Sequence, residues 1–394
     1  MIKNSVCWAM KNPSPAGTVK KGSPALSRIV INTYHLLYGI ELEDIGKSHI
    51  IVENGVIKEI NHGFRGDADY TVGAILPLPV NAHIHLNDYR VPEHCIGYNL
   101  SSYAGSKGVK HPLIQLVKNP ILPEELAYVM TQYSIVVDYQ EHFWRCNEFR
   151  EKLSRYGVKY IGLSRPTRYD LEEISDVLKH CDGIGISNPL KLPPWIVAEL
   201  AQIANNKIVS AHISETKTME EHGSLHYLLN YRVKPPHIVH GVYLEDWEYK
   251  LLADEDIVLV VNPRSNLWFT SKLPRIDKAL KHGVKVAVGT DNAGCFHPDV
   301  WVDTLLLETI YKDIDPRTFL EMTTINGYYA VRQKPLIIEE NMNAYFMGVD
   351  LGVANYRSGN IYGSIINRII WSPYKIFVKE NNLYIHTIKY HFKD

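Results

Sequence analysis

The chain has 394 residues, of which 45% are hydrophobic and 22% are charged, and its formal net charge is −1. This composition is typical of a soluble globular protein with one large domain and an accessory part, or two domains. The near-neutral net charge does not favour nucleic acid as a partner. No apolar run approaches the roughly 18 residues of a membrane span. We therefore expect a small-molecule substrate, with no nucleic acid and no membrane as partners.

Residues 1–27 differ in composition from the rest of the chain. They are rich in Pro, Ser, Gly and Lys and contain no acidic residue. Their apolar stretch is too short and broken for a signal peptide. We predict that residues 1–27 form a disordered N-terminal extension.

Both ends of the remaining chain have the pattern of β structure. Residues 28–60 contain short β-branched and aromatic runs, with Asn54-Gly55 between "HIIVE" and "VIKEI". Asn-Gly between two such runs is a strong hairpin signal. Residues 366–390 contain a similar pair of runs, with Asn381-Asn382 as the predicted turn. We predict that residues 28–74 and 335–394 together form a small composite β-sandwich.

The middle of the chain alternates apolar runs with helix-like stretches. Most of the runs are apolar on both faces, as buried parallel strands are. Eight such units predict a (β/α)8 TIM barrel over residues 75–334. A doubly wound open sheet is the alternative, but no G-x-G-x-x-G follows the first strand. The runs are "AILPLPVNAHIH" (74–85), "YSIVVDYQE" (133–141), "VKYIGLS" (158–164), "DGIGISNP" (182–189), "KIVSAHISE" (207–215), "PHIVHGVYL" (236–244), "DIVLVVNPRSN" (256–266) and "VKVAVGTDNAG" (284–294).

Side chains that can bind a metal ion lie at the ends of four of these predicted strands. The carboxyl ends of the strands form the active site of a TIM barrel, so these side chains should meet at one rim. An H-x-H pair alone is expected about once by chance in a chain with 18 histidines, so the joint arrangement carries the prediction. The residues are His83 and His85 on strand 1, His212 and Glu215 on strand 5, His240 on strand 6, and Asp291 on strand 8.

Four of these residues suit a catalytic metal site. His83, His85, His212 and Asp291 offer three nitrogens and one oxygen and leave a position for water. A divalent ion there lowers the pKa of water toward neutrality. Asp291 can also accept a proton, although it could instead cap the next helix.

The other two residues suit proton transfer. Glu215 can carry a proton to a leaving group or a ring nitrogen. His240 can orient the water and stabilise developing charge. Each has a structural alternative, because Glu215 could be a carboxylate at a helix N-terminus and His240 a buried core histidine.

Two further segments could bind ligands. His222 and His226 have the i, i+4 spacing of a helical metal pair, but Gly223 weakens that helix and the order is not H-E-x-x-H. The segment "SSYAGSKGVKHP" (101–112) could cradle an anion through backbone amides, or could be a mobile loop covering the site.

With these motifs identified, the chain from about residue 28 onward resembles the amidohydrolase superfamily, in particular its cytosine deaminase, chlorohydrolase and adenosine deaminase branch. The motifs are "PLPVNAHIHLND", "AHISE", "IVHGVYL", "NPRSN", "VGTDNAG" and "MTTINGYYAV" (322–331). The resemblance implies a mononuclear site with the four ligands above, and Glu215 and His240 as the proton-handling pair. Asn188, at the end of strand 4, and Asn266, on the loop after strand 7, are the predicted substrate contacts.

Two departures from the family pattern matter. Strand 4 lacks the lysine that bridges two metals in dihydroorotase-like relatives, and Lys191 lies beyond the strand end, so a binuclear site is the alternative and not the first expectation. The segment after strand 1, with Lys107, Lys110 and His111, matches no deaminase pocket, so the sequence leaves the substrate open.

The sequence therefore predicts a metal-dependent hydrolase that activates water to attack a carbon bonded to nitrogen. Deamination of an amino-substituted heterocycle, such as a purine or a pyrimidine, is the first interpretation. Hydrolysis of a cyclic amide or another C–N bond is the second, and a non-catalytic barrel that acts as a binding protein is the third.

The sequence also supports expectations for the metal ion, the cellular location and the oligomeric state. We expect one divalent ion, zinc by preference, although three imidazoles and a carboxylate also suit iron or manganese. The five cysteines are scattered without a C-x-x-C pair, which is typical of small buried residues in a reducing, cytoplasmic protein. A homodimer is the default expectation for the assembly.

Overall fold

The computed structural model describes residues 27–105, 107–116, 126, 129–168 and 170–387, so nearly all of the predicted N-terminal extension lies outside the described residues. The strands belong to two sheets. In chain order they are β1 (Arg28–Tyr38), β2 (Glu43–Asp44), β3 (Ser48–Glu53), β4 (Val56–His62), β5 (Tyr70–Pro77), β6 (Val80–His85), β7 (Ile135–Gln140), β8 (Lys159–Ser164), β9 (Gly183–Ile186), β10 (Ile208–Ile213), β11 (His237–His240), β12 (Val258–Val261), β13 (Val286–Val288), β14 (Asp291–Asn292), β15 (Tyr345–Val349), β16 (Tyr374–Lys379) and β17 (Asn382–Thr387).

Helices separate most of the barrel strands. Within the described ranges, no helix is both long enough and apolar enough to cross a membrane. The α-helices are α1 (Leu100–Ala104), α2 (Lys110–Leu116), α3 (Arg145–Ser154), α4 (Leu171–His180), α5 (Pro194–Ile203), α6 (Lys217–Glu221), α7 (Ser224–Asn230), α8 (Asp246–Asp254), α9 (Pro263–Thr270), α10 (Ile276–Lys281), α11 (Val300–Ile310), α12 (Pro316–Thr324), α13 (Asn326–Tyr329), α14 (Ala354–Arg357) and α15 (Ile361–Arg368), and 3-10 turns cover Leu86–Arg90, Pro189–Lys191 and Ile369–Trp371.

The barrel is a parallel sheet that closes on its first strand. Its order is β13-β12-β11-β10-β9-β8-β7-β6-β14, and β14 pairs with β6. Only Gly289 and Thr290 separate β13 from β14, and the Thr290 amide donates to the His83 carbonyl over 2.9 Å. The two short pieces are therefore the interrupted eighth strand. The predicted TIM barrel is confirmed, because continuous apolar runs form strands that are buried on both faces.

The second sheet combines both ends of the chain. Its order is β17-β16-β15-β5-β1-β3-β4, with β2 beside β1. The sheet folds back on itself, since Val56 bridges to Asn343 and the Ile57 amide donates to the Met342 carbonyl over 2.9 Å. Its strands enclose a separate apolar cluster that includes Ile31, Phe346 and Ile376. The predicted composite β domain is thus confirmed.

The sequence predicted the position of one hairpin turn of this domain correctly and that of the other with an error of one residue. Asn54 and Gly55 have φ values of 49° and 78°, and this left-handed pair is what a type I′ hairpin turn requires. The predicted turn at Asn381-Asn382 lies one residue earlier. Glu380, with φ of 52°, and Asn381 make the turn, and Asn382 already begins β17.

The cysteine prediction was wrong for two residues. Cys146 in α3 and Cys181 after α4 are joined by a disulfide, with their Cα atoms 5.4 Å apart. Two consecutive βα units bring these residues together, and a separation of 35 residues in the sequence gives no sign of the pairing. Cys95 is free and buried as expected, and Cys295 is free and half-buried.

Candidate active site

The structure brings the six predicted metal-binding and proton-handling residues to one end of the barrel. His83 and His85 lie two residues apart on β6 and share a face, with ring centroids 5.0 Å apart. The His212 ring on β10 lies 5.0 Å from the His83 ring and 5.0 Å from the His240 ring at the end of β11. Asp291 enters from β14. Four strands therefore supply the site, as expected for a TIM barrel.

The possible ligand atoms are close enough to share one ion. The side-chain ligand atoms of His83, His212, His240 and Asp291 all lie within 4.8 Å of one another. His85 is outside this group, although its Nε2 lies 3.4 Å from Asp291 Oδ1. By distance alone, five residues could fill the four predicted ligand positions. The hydrogen bonds around each side chain indicate which of the five are suited to bind the ion.

The partners of His212 and Asp291 direct their free lone pairs into the site. His212 Nδ1 lies 3.1 Å from the Ile186 carbonyl, so Nδ1 carries the proton and Nε2 is an acceptor. Asp291 Oδ2 accepts a hydrogen bond from the Ser265 hydroxyl. Asp291 Oδ1 is then left facing Nε2 of His83 at 3.3 Å and Nε2 of His85 at 3.4 Å.

This donor set fits a divalent cation. Three imidazole nitrogens and one carboxylate oxygen converge, and the pKa of Asp291 stays well below its usual range because the hydrogen bond with His83 and the neighbouring histidines outweigh the opposing effect of burial. Burial also lowers the pKa values of His85 and His212, which keeps both rings neutral. Neutral imidazoles and an ionised carboxylate are the forms that bind a metal.

Three residues of this rim hold strained backbone conformations. Ser214, His240 and Asp291 have φ values of 47°, 76° and 59°, in the left-handed region that favours glycine. Each stands at the end of a different barrel strand. Such strain persists where the surrounding structure fixes it, and it is concentrated at functional sites.

Glu215 faces His240 across the site. Its Oε1 lies 3.7 Å from His240 Nε2. Burial, and then the charge of Asp291, raises the pKa of Glu215 to about 8, so the carboxyl group can hold a proton at neutral pH. Glu215 lies next to the N-terminus of α6, one residue before the N-cap Thr216, whose side chain accepts from the Met219 amide. The capping alternative for Asp291 fails, since Asp299 caps α11.

The two predicted substrate contacts occupy different places. Asn188 lines the cavity beyond β9, and its Oδ1 accepts from the Leu190 amide over 3.0 Å. Asn266 is only 1% exposed, and its Nδ2 lies 2.9 Å from His240 Nδ1. Asn266 therefore contacts His240 from behind, away from the cavity.

A cavity of about 950 Å³ opens above these residues. The segment predicted as an anion-binding or mobile loop forms one wall as α1 and α2. Lys110 Nζ anchors this wall, 3.1 Å from Asp88 Oδ2 and 3.6 Å from Glu141 Oε1. His111 Nδ1 reaches Glu141 Oε1 at 3.2 Å. Other lining residues are Asn99, Ser101, His142, Arg165, Thr167, Ser187, Lys191 and Phe269.

The i, i+4 histidine pair does not share a helix. His222 follows the end of α6, and His226 lies in α7. Gly223 separates the two helices with φ of 63°, and both histidines are exposed. The structure therefore gives no support to a metal site at this pair.

The sequence reasoning missed Tyr139 and Ser265. The Tyr139 ring lies 4.5 Å from the His83 ring and 5.0 Å from the His212 ring. It packs on Gly185 of β9, where an added Cβ would come within 2.8 Å of the ring. This ring fills the space beside strand 4, the strand that carries the bridging lysine in binuclear relatives. Ser265 lies within the "NPRSN" motif, whereas Tyr139 is hidden in an apolar run.

The chain is similar to several known proteins. The amidohydrolase family model matches residues 193–333, which include His212, His240 and Asp291. An uncharacterised protein of Methanocaldococcus jannaschii is 28% identical, over 84% of this chain and 93% of its own length. A 5-methylthioadenosine/S-adenosylhomocysteine deaminase of Thermococcus sibiricus is 25% identical, over 87% of this chain and 90% of its own. The structure of an adenosine deaminase from Xanthomonas campestris with bound zinc matches this one with a TM-score of 0.71 at 17% identity. The match covers 92% of this chain and 91% of the adenosine deaminase chain.

Proposed function

The chain belongs to the amidohydrolase superfamily, and we propose that it is a metal-dependent aminohydrolase that deaminates an amino-substituted heterocycle. The observation that carries the proposal is the convergence of three imidazoles and Asp291 at the mouth of the barrel, with Glu215 beside them. A proton-holding carboxyl group next to a cation site is the combination that hydrolysis of a C–N bond requires.

We assign the cation to His83, His85, His212 and Asp291. His212 and Asp291 support this assignment, since their outer hydrogen bonds leave acceptors facing inward. When bound, a divalent ion lowers the pKa of water to near neutrality, so that hydroxide is available as a nucleophile. The relative with bound zinc and the nitrogen-rich donor set favour zinc over iron or manganese.

Glu215 and His240 handle the protons and charge in this proposal. Glu215 holds a proton at its carboxyl group and delivers it to a ring nitrogen or to the departing amine. His240 Nε2 is placed to donate a hydrogen bond to the oxygen that adds to the carbon. The reaction consumes one water, breaks the C–N bond and releases ammonia, and the ring keeps the oxygen.

Two features favour deamination over hydrolysis of a cyclic amide. The relatives named above as deaminases act on adenosine-type compounds, and the Tyr139 ring leaves no room for a longer side chain at Gly185 of strand 4. The cavity of about 950 Å³ is large enough for a nucleoside-sized substrate. We keep hydrolysis of a cyclic amide as the second candidate because the same mononuclear site could perform it.

We also propose a cellular location and an oligomeric state for the protein. A cytoplasmic location remains our expectation, because disulfides such as Cys146–Cys181 also occur in intracellular proteins of hyperthermophiles. A homodimer is the default for an enzyme of this size. Size-exclusion chromatography with light scattering tests the oligomeric state.

The first experiment is elemental analysis of protein purified without chelator, together with a His83→Ala/His85→Ala double variant. We expect about one zinc per chain, lost in the double variant. Ammonia release is then measured with aminopurines, aminopyrimidines and adenosine-type nucleosides. Two metals per chain, or turnover only of lactams and cyclic imides, would contradict the proposal.

A further inference from the structure

The hydrogen bonds behind His240 determine which of its ring nitrogens carries the proton. His240 Nδ1 lies 2.9 Å from Asn266 Nδ2 and 3.4 Å from Asn262 Nδ2. All three side chains are buried, at 1%, 1% and 0% exposure respectively. The protonation pattern of this group is therefore set by the protein and not by solvent.

The orientation of the Asn266 amide follows from its other contact. Asn266 Oδ1 accepts a hydrogen bond from the Asn262 backbone amide over 3.3 Å. A flipped amide would place its NH2 group against that backbone N–H, so that two donors would face each other in a buried site. The NH2 group of Asn266 must therefore face His240.

A nitrogen that faces an NH2 group has to be an acceptor. His240 Nδ1 thus carries no proton, and in a neutral ring the proton lies on Nε2. His240 Nε2 points into the site, 3.7 Å from Glu215 Oε1, and has no hydrogen-bond partner among the described residues. His212 has the opposite tautomer, since its Nδ1 donates to the Ile186 carbonyl.

We propose that Asn266 is a positioning residue that holds His240 in the Nε2–H tautomer, so that His240 is a hydrogen-bond donor to the substrate and not a metal ligand. This inference rests on the proposed function for its catalytic meaning, whereas the tautomer itself does not depend on it. It also explains why five residues surround a four-ligand site: a protonated Nε2 has no lone pair for a cation.

The position of Asn266 in the fold suits this role. Asn266 lies in α9, and its backbone amide donates to the Asn262 carbonyl over 2.9 Å, so the same turn fixes both asparagines. Thr270 adds a hydrogen bond from its hydroxyl to the Asn266 carbonyl over 2.6 Å. A donor built into a helical turn behind a catalytic imidazole is the kind of support that keeps a ring in one orientation.

The test replaces Asn266 with a residue of the same shape and opposite hydrogen-bonding character. In Asn266→Asp, a carboxylate faces His240 Nδ1 and can only accept a hydrogen bond, so the ring proton moves to Nδ1 and the lone pair moves to Nε2. We expect kcat to fall about 10²–10³-fold, as when one preorganised donor is removed, with a much smaller change in KM. The exposed Asn205→Asp variant introduces the same charge near the opposite end of β10 and should keep the wild-type kcat.

Nitrogen NMR of the zinc-loaded protein with labelled histidine measures the tautomer directly. The His240 signals are identified as those missing from a His240→Gln sample. We expect Nε2 to be protonated in the wild type and Nδ1 to be protonated in Asn266→Asp. A wild-type His240 with its proton on Nδ1, or an Asn266→Asp variant with wild-type kcat, would overturn the inference. If the wild type released no ammonia, the proposed function would fail and the NMR result would still decide the tautomer.

Discussion

Glu215 has a different environment from its neighbour Asp291, although both are carboxylates of one site. Asp291 accepts hydrogen bonds and faces imidazoles, which hold its pKa low. Glu215 is mostly shielded from solvent and has no such donors, and its pKa is raised to about 8. Two carboxyl groups whose surroundings drive their pKa values apart fit the roles we propose, with Asp291 as an ionised ligand and Glu215 as a proton carrier.

The Glu215→Gln variant tests this division at the level of one residue. A glutamine keeps the shape and cannot transfer a proton, so we expect kcat to fall about 10²–10⁴-fold while the metal content stays at that of the wild type. The His85→Ala variant is the matched comparison, since it should lose metal and activity together. Steady-state kinetics and elemental analysis measure both properties. Near-normal turnover by Glu215→Gln would mean that another group carries the proton.

The convergence of the proposed metal-binding residues could be predicted from the sequence. His83, His85, His212 and Asp291 each lie at or near the end of a predicted strand, and the ends of parallel strands in a barrel must meet. The role of Asn266 could not be predicted in the same way, because it depends on the direction of one side-chain amide. Tyr139 was missed for a related reason: an aromatic residue in a strand has the same pattern whether it packs in the core or beneath a metal site.

At the scale of elements, a buried carboxyl group and a half-buried one join the helices that follow strands β10 and β11. Glu248 of α8 is 1% exposed, and its Oε2 accepts from the Glu245 amide over 2.9 Å. Burial, and then a hydrogen bond with Glu220 of α6, raises the pKa of Glu248 to about 8. Glu220 in turn accepts from the Ser214 hydroxyl, next to Glu215. The raised pKa favours a protonated Glu248 at neutral pH, and the hydrogen bond between Glu248 and Glu220 links α6 and α8.

The raised pKa of Glu248 makes the stability of the protein depend on pH in a defined direction. Because the folded pKa of Glu248 is raised from 4.5 to about 8, the protonated form is favoured in the folded state. Its contribution is fully present below the unfolded pKa and is lost as the pH rises through about 8. In Glu248→Gln, an amide replaces the protonated carboxyl and cannot ionise. We expect this variant to gain stability relative to the wild type, by a few kcal/mol at most, as the pH rises from about 5 to about 9.

Urea denaturation of both proteins at several pH values measures this difference. The Glu255→Gln variant, one residue beyond the end of α8, is the control: Glu255 is half-buried and makes a surface ion pair with Lys234, so this variant should show no such trend. A constant difference between Glu248→Gln and the wild type across the pH range would show that Glu248 is ionised throughout. Other groups titrate equally in both proteins, so only the difference between them is interpreted.

The sequence predicted the structure correctly where neighbouring residues determine it. The predictions were wrong where contacts between residues far apart in the sequence determine it. The Asn54-Gly55 turn was correct because only residues that tolerate positive φ fit a type I′ turn. The turn at Glu380-Asn381 was displaced by one residue, since strand register depends on the partner strand. The Cys146–Cys181 disulfide was missed because its geometry arises from the packing of two βα units.

At the scale of the whole molecule, the β domain is joined to the barrel by a buried lysine. Lys379, at the end of β16, is 1% exposed, and its Nζ donates to the carbonyls of Tyr133 and Tyr156 over 2.8 and 2.9 Å. Gly157 makes room for it, since a Cβ there would lie 2.8 Å from Lys379 Cδ. A strand pattern predicts the sheet that contains Lys379, but it does not predict which barrel loops the side chain reaches.

The Lys379→Met variant tests whether this contact couples the two parts. Methionine keeps much of the apolar stem but leaves two buried carbonyls without a donor, each at a cost of about 1–3 kcal/mol. Part of this loss is offset because no amine has to be buried, and burial already lowers the pKa of Lys379 well below its usual range. We therefore expect the free energy of unfolding to fall by about 2 kcal/mol, with a matching decrease in the urea midpoint. The partly exposed Lys285→Met variant loses a surface ion pair with Asp256 and a cation–π contact with Tyr329, and its stability should change by only about 1 kcal/mol. Equal midpoints for Lys379→Met and the wild type would mean that apolar packing alone holds the β domain on the barrel.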